Sequence, residues 1–121
     1  MDSSRLMLIS GVMLLSVSAM LGFVQERHRD SPDVFARWRV VHAGGAAGAV
    51  QLIALAAVWR QFAATGWTTI LPIGLVWTSW AFFLGPLARA MDLPRVSRWV
   101  NLAGAIIAVP TYVLLPALLA T

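Results

Sequence analysis

Four apolar blocks, each close to a bilayer's thickness in helical length, constrain this chain more than any other feature. They run over Leu6–Val24, Val40–Trp59, Thr68–Ala88 and Trp99–Ala120, and none contains an aspartate, glutamate or lysine. About 20 helical residues cross a hydrocarbon core. In lipid each backbone N–H and C=O must find its partner inside the segment, so each block is expected to be a helix. The predicted fold class is all-α, an integral-membrane four-helix bundle with the lipid bilayer as its surroundings. Composition agrees: 60% of the 121 residues are hydrophobic and 12% charged, too little polar surface to cover a soluble domain. Connections are short and no internal repeat is evident, so residues 1–121 read as a single transmembrane domain.

Charge then sets orientation. All nine basic residues are arginines. Arg27, Arg29, Arg37 and Arg39 lie between the first two blocks, and Arg89, Arg95 and Arg98 between the last two, leaving Arg5 and Arg60 on the other side. That asymmetry is the positive-inside bias; it predicts a bacterial-type inner (cytoplasmic) membrane protein with both arginine-rich loops cytoplasmic and both termini outside. The net charge of +4 records topology, and no nucleic-acid partner is expected, because no soluble domain joins a basic groove to stacking aromatics. The first block could instead be a secretory signal, with small residues at Ser16–Ala19 for cleavage. Its length of about 19 residues, and Arg5 as the sole preceding basic side chain, favour a retained helix. With no cysteine, disulfides, thiolate nucleophiles and zinc–thiolate sites are excluded.

The longest polar segment, Gln25–Arg39, reads as a loop. Within it Ser31-Pro32-Asp33 turns the chain or opens a short interfacial helix, Ser31 capping and Pro32 at the first helical position. Phe35 and Trp38 suit the headgroup region. A short loop is expected around Ala63–Trp67, and a third over Arg89–Arg98, broken by Pro94. Pro72, Pro86, Pro110 and Pro116 lie in or near spans, where they are tolerated and often bend the helix.

The spans lack the buried carboxylate with which a four-helix exporter would exchange protons for a cationic drug, which argues against transport. His42 is the one titratable side chain near a span that could do chemistry. Two readings stand open: an interfacial histidine bonded to a neighbouring helix, or a metal ligand. Gly45, Ala46 and Ala49 share its helical face, and their small side chains leave room for a flat ligand. Imidazole ligates haem iron. Arg39 lies one turn away on that face, and Arg37, Arg95 and Arg98 share that side of the membrane, where they could pair with haem propionates. Small residues also serve close packing, and Gly44 and Gly48 form a GxxxG pair on a face turned away from His42.

The run His42-Ala43-Gly44-Gly45, followed by Leu52-Ile-Ala-Leu-Ala-Ala-Val-Trp59, resembles the second span of the small four-helix membrane isomerases, the family of styrene oxide isomerase and hydroxylaminobenzene mutase. Trp77-Thr-Ser-Trp80 with Ala81-Phe82-Phe83 resembles their third span, and Val109–Pro116 is similar to the isomerase's last. The resemblance implies a b-type haem ligated by His42 and held between subunits of a homotrimer, its ferric iron binding an epoxide oxygen. It also marks departures. The family's Asn-Gly, six and seven residues after the histidine, is Gly48-Ala49 here; its third-span tyrosine corresponds to Phe83, and an earlier asparagine to Ser79. The ligand is kept while the substrate-orienting groups are not.

The expected activity is therefore isomerisation of a small apolar, aromatic epoxide to an aldehyde, or of a related hydroxylamine, with haem iron as Lewis acid. The alternative is a non-enzymatic haem-binding or structural bundle. Cofactor-binding candidates are His42, as metal ligand, with Arg39, Gly45, Ala46 and Ala49. Catalytic candidates are Tyr112, Ser79 and Thr78. Tyr112 is a mid-span phenol that needs a partner and could supply the lost hydroxyl. Ser79 and Thr78 could bond a substrate or their own backbone. Gln51, nearly opposite His42, is expected to bridge helices, and Asn101 to cap or bond near the start of the last span. Trp77, Trp80, Phe82 and Phe83 are expected to pack, or to wall an aromatic pocket. His28, in a polar loop, has no expected role.

Overall fold

The computed structural model describes residues 1–62 and 64–120, the side chain of Leu119 excepted; Ala63 of the expected second loop and Thr121 lie outside the described residues. Four helices carry the chain: α1 (Ser3–Arg27), α2 (Pro32–Val58), α3 (Gly66–Ala90) and α4 (Pro94–Leu119), with a 3₁₀ turn at Trp59–Gln61 after α2. All four are long and apolar enough to cross a membrane. No strand occurs among the described residues, so the protein is an all-α, multi-pass bundle.

Local chemistry sets the helix ends. Asp2 caps α1, its carboxylate accepting the Arg5 N–H at 2.8 Å. That bond, with the Arg60 guanidinium 3.3 Å away, holds the carboxyl below its ordinary pKa. Pro32 opens α2 at a position whose N–H would go unpaired in any case. Gln25–Arg39 is consequently no loop: α1 continues to Arg27, α2 begins at Pro32, and the connection shrinks to residues 28–31. At 25–27 residues, each helix is longer than the roughly 20 that cross a hydrocarbon core. At the head of α3, Thr65 and Thr68 form a capping box, each hydroxyl accepting the other's backbone N–H at 3.4 and 2.9 Å. Its tail turns through Asp92, whose φ of 58° is the left-handed position more often given to glycine. There the Leu93 N–H returns to the Ala88 carbonyl at 2.8 Å and that of Asp92 to Arg89 at 3.1 Å, pairing carbonyls the helix end leaves open.

Consecutive helices are antiparallel. α1 packs along α2, α3 lies against both, and α4 packs chiefly on α3. No hydrophobic force draws helices together in lipid, so small residues that let backbones approach decide the seams. A methyl on Gly11 of α1 would stand 2.8 Å from Ile53 and 3.0 Å from the Ala49 carbonyl; one on Gly104 of α4 would stand 2.7 Å from Ala81. The expected GxxxG pair is not the tightest point on α2. A methyl on Gly48 would make ordinary contact with Ser79 at 3.4 Å, and one on Gly44 would meet only the Phe82 carbonyl at 3.9 Å. The tight position is their neighbour, Gly45. Two apolar cores form, Met7, Leu52, Ala56, Trp59, Leu71 and Leu75 in one half, and Leu14, Val41, Ala49, Phe83 and Ala90 toward the arginine-rich end. Met20, Phe23, Ile106, Val109 and Val113 remain exposed, as lipid-facing side chains do.

Candidate functional site around His42

His42 stands in the third turn of α2 and leans onto α1. Its Nδ1 lies 2.6 Å from the Ser18 carbonyl oxygen. A carbonyl can only accept, so Nδ1 is the protonated nitrogen and Nε2 of the neutral ring carries the lone pair. The ring fits against α1 because residue 22 is glycine: a methyl there would meet Cε1 at 3.2 Å and Nδ1 at 3.4 Å. His42 is half-buried, and Nε2 has neither a hydrogen-bond partner nor full burial among the described residues. The arrangement combines the two open readings: a helix-bridging hydrogen bond on one nitrogen, and a free donor pair on the other.

The neighbours correct the expected cradle. Gly45 and Ala49 are buried in the junction of three helices. A methyl on Gly45 would overlap Ser18 Oγ and stand 2.7 Å from the Phe83 ring, so protein fills the space a planar ligand was expected to use. Trp80 closes it from behind, edge-on to Phe83 at 5.9 Å, with its indole N–H donated to Ser10 Oγ at 2.7 Å. Ala46, half-buried, and Ala43, exposed, are the small residues of α2 left accessible near the ring. Arg39 is exposed, one turn nearer the arginine-rich end. Arg37 is turned to the connection between α3 and α4, where its Nη1 donates to Asp92 at 2.7 Å, and Arg95 and Arg98 are exposed on the first turns of α4.

The catalytic candidates do not converge. Ser79 is buried beside Gly48, and Phe83 beside Gly45, so the positions at which the family resemblance marks departures do share one α2–α3 seam. Thr78 is fully buried one position away, its hydroxyl without a partner among the described residues. Tyr112 bonds Gln51: the amide N–H donates to the phenol oxygen at 2.7 Å, and the phenol faces the amide oxygen at 3.0 Å. Gln51 thus bridges helices as expected, but nine residues up α2 from His42, about 13 Å at 1.5 Å per residue. Asn101 contacts Ser97 Oγ at 3.5 Å, and His28 lies parallel to Trp38 at a ring separation of 6.4 Å.

Ser18 and Gly22 were missed by sequence reasoning. A backbone acceptor has no residue signature, but the small-xxx-small spacing of Ser18 and Gly22 on α1 was a readable sign of close helix approach. Chemically, no group of three or more His, Asp or Glu side chains able to hold a bare metal ion occurs among the described residues. A lone imidazole suits a metal whose remaining positions are already filled by a macrocycle. In that sense His42 fits haem through Nε2, while Gly45 and Ala49 do not fit a porphyrin face. Compared with known protein families, characterised proteins and solved structures, the chain finds no match in any of the three.

Proposed function

We propose that the protein is a haem-b-dependent isomerase of the inner (cytoplasmic) membrane, both termini outside, that rearranges a small apolar, aromatic epoxide to an aldehyde, or a related hydroxylamine. The observation that carries this reading is the 2.6 Å contact of His42 Nδ1 with the Ser18 carbonyl, which leaves Nε2 as a directed, unpaired donor. Metal-bound histidines characteristically give their other nitrogen to a carbonyl or carboxylate, which fixes the ring and strengthens its donor power. His42 would hold the iron, and Arg39 would pair with a propionate at the headgroup level. Because the bundle interior beside Gly45 is filled, the cofactor would lie outside α1 and α2, between copies of the chain; the family resemblance makes that assembly a homotrimer. When bound, ferric haem supplies a Lewis acid for the substrate oxygen, weakening the C–O or N–O bond without net redox change. The chain's own contribution is to orient the imidazole, admit apolar substrate from lipid and exclude water. Spans without carboxylates suit a rearrangement that adds no water.

The test is an absorption spectrum of detergent-purified wild type beside His42→Ala, with product assays on an aryl epoxide and an aryl hydroxylamine. The expected result is a Soret band that His42→Ala abolishes, and rearranged product from wild type alone. A full band in His42→Ala refutes the ligand assignment. A second reading, a haem-binding or structural bundle without catalysis, is favoured by the distance of Tyr112 from His42; a Soret band with no product from either substrate would select it.

A further inference from the structure

We propose that the cleft between α2 and α3 at the arginine-rich end binds the phosphate of an anionic phospholipid, one acyl chain lying along its apolar wall. The cleft has a volume of about 310 Å³ and is lined by Ala36, Arg37, Val40, Pro86 and Arg89. Its lining is layered along the helix axes. Arg37 and Arg89 stand nearest the helix ends, and Val40 and Pro86 lie about a turn further into the bundle. Two guanidiniums above an apolar notch match a phosphodiester above its glycerol and chain. Ala36, with its single methyl, keeps the notch open on α2.

Charge decides the headgroup. Seven arginines at this end face four acids, Glu26, Asp30, Asp33 and Asp92, an excess of three positive charges. Glu26 is engaged with Arg29 at 2.7 Å. Asp92 pairs with one nitrogen of Arg37 at 2.7 Å, and its side chain is 83% exposed, so it occupies the outer lip and leaves the rest of the guanidinium fork free. Arg89 is exposed, with no acidic partner among the described residues. Guanidinium forks bind phosphate oxygens in a bidentate manner, and basic pockets between spans on the cytoplasmic side recognise anionic headgroups. A choline headgroup would bring a cation toward two guanidiniums and is disfavoured. A free phosphate would leave the apolar half of the cleft unused.

The experiment uses the full chain in phosphatidylcholine nanodiscs, with the thermal midpoint followed as phosphatidylglycerol is added. Phosphatidylglycerol is expected to raise the midpoint, while further phosphatidylcholine or inorganic phosphate is not. The double variant R37Q/R89Q is expected to need at least tenfold more phosphatidylglycerol for the same shift, whereas Arg5→Gln, at the opposite end, keeps the wild-type response. Asp92→Asn removes the competing carboxylate and should strengthen the response; it decides the matter if the double variant does not fold. Equal responses to the two lipids, a phosphate response matching that of phosphatidylglycerol, or weakening by Asp92→Asn would each overturn the proposal.

Discussion

Gly44 and Gly45 are adjacent, identical and helical, yet the same methyl should act on them with opposite sign. On Gly45 a Cβ would stand 2.7 Å from Phe83 Cδ2, about 0.8 Å short of the ~3.5 Å at which carbon atoms rest in contact. The overlapping Ser18 hydroxyl can rotate away, since it has no hydrogen bond to lose among the described residues. The Phe83 ring cannot: it is 1% exposed and backed by Trp80. Overpacking of this kind costs about 1–3 kcal/mol. On Gly44 the methyl meets only the Phe82 carbonyl at 3.9 Å, so the helix-propensity gain of about 0.5–1 kcal/mol is uncancelled. Because the propensity gain is common to both positions, the two variants should differ by the overpacking cost, about 1–3 kcal/mol, or roughly 5- to 150-fold in the folded-to-unfolded ratio. Reversible unfolding in mixed micelles of increasing dodecyl sulfate, followed by tryptophan fluorescence, measures that gap. Equal midpoints for Gly44→Ala and Gly45→Ala would refute the three-helix junction on which the account of His42's surroundings rests.

Gly22→Ala should push the imidazole off the Ser18 carbonyl, seen as a changed Nδ1 chemical shift in nitrogen NMR and as a shifted Soret maximum in haem-loaded protein; unchanged spectra would mean that Gly22 does not position the ring. Ser18→Ala keeps the carbonyl and removes a buried hydroxyl without a partner, so it should be neutral or stabilising by up to about 1 kcal/mol, since an orphaned polar group carries an unrecovered desolvation cost; a clear loss of stability in the same unfolding assay would reveal a bond to that hydroxyl. Tyr112→Phe and Gln51→Leu, alone and together, should give a coupling energy of about 0.6 kcal/mol, typical of bonds between membrane helices, with the His42 spectrum untouched. A spectral change on Tyr112→Phe would place the phenol in the site after all.

The spans were legible because an apolar run of bilayer length admits few alternatives. Their ends were not, because Gln25–Arg39 joins helix-compatible residues to charges, and a polar run looks the same whether it turns or continues as helix. Pro32 marked the correct start of α2, yet nothing in the residues said that the helix would run unbroken into the span. His42 stood out as the one imidazole against small neighbours. What could not be read was which neighbours face α1 and which remain open. Gly45 shares a helical face with His42, but that face meets Ser18 and Phe83, and the choice is made by three helices at once. Tyr112 illustrates the same limit: its need for a partner was plain, and Gln51 as that partner followed only from how α4 sits.

The contact between His42 and Ser18 joins the first two helices and no others. Orientation of the imidazole is thus a property of the leading hairpin, complete once that hairpin has entered the bilayer during synthesis. α3 fills the junction beside Gly45, through Phe83 and Trp80, and takes no part in that bond. A hairpin of α1 and α2 should then keep the Nδ1 contact by itself, with α3 needed only to fill the junction beside Gly45.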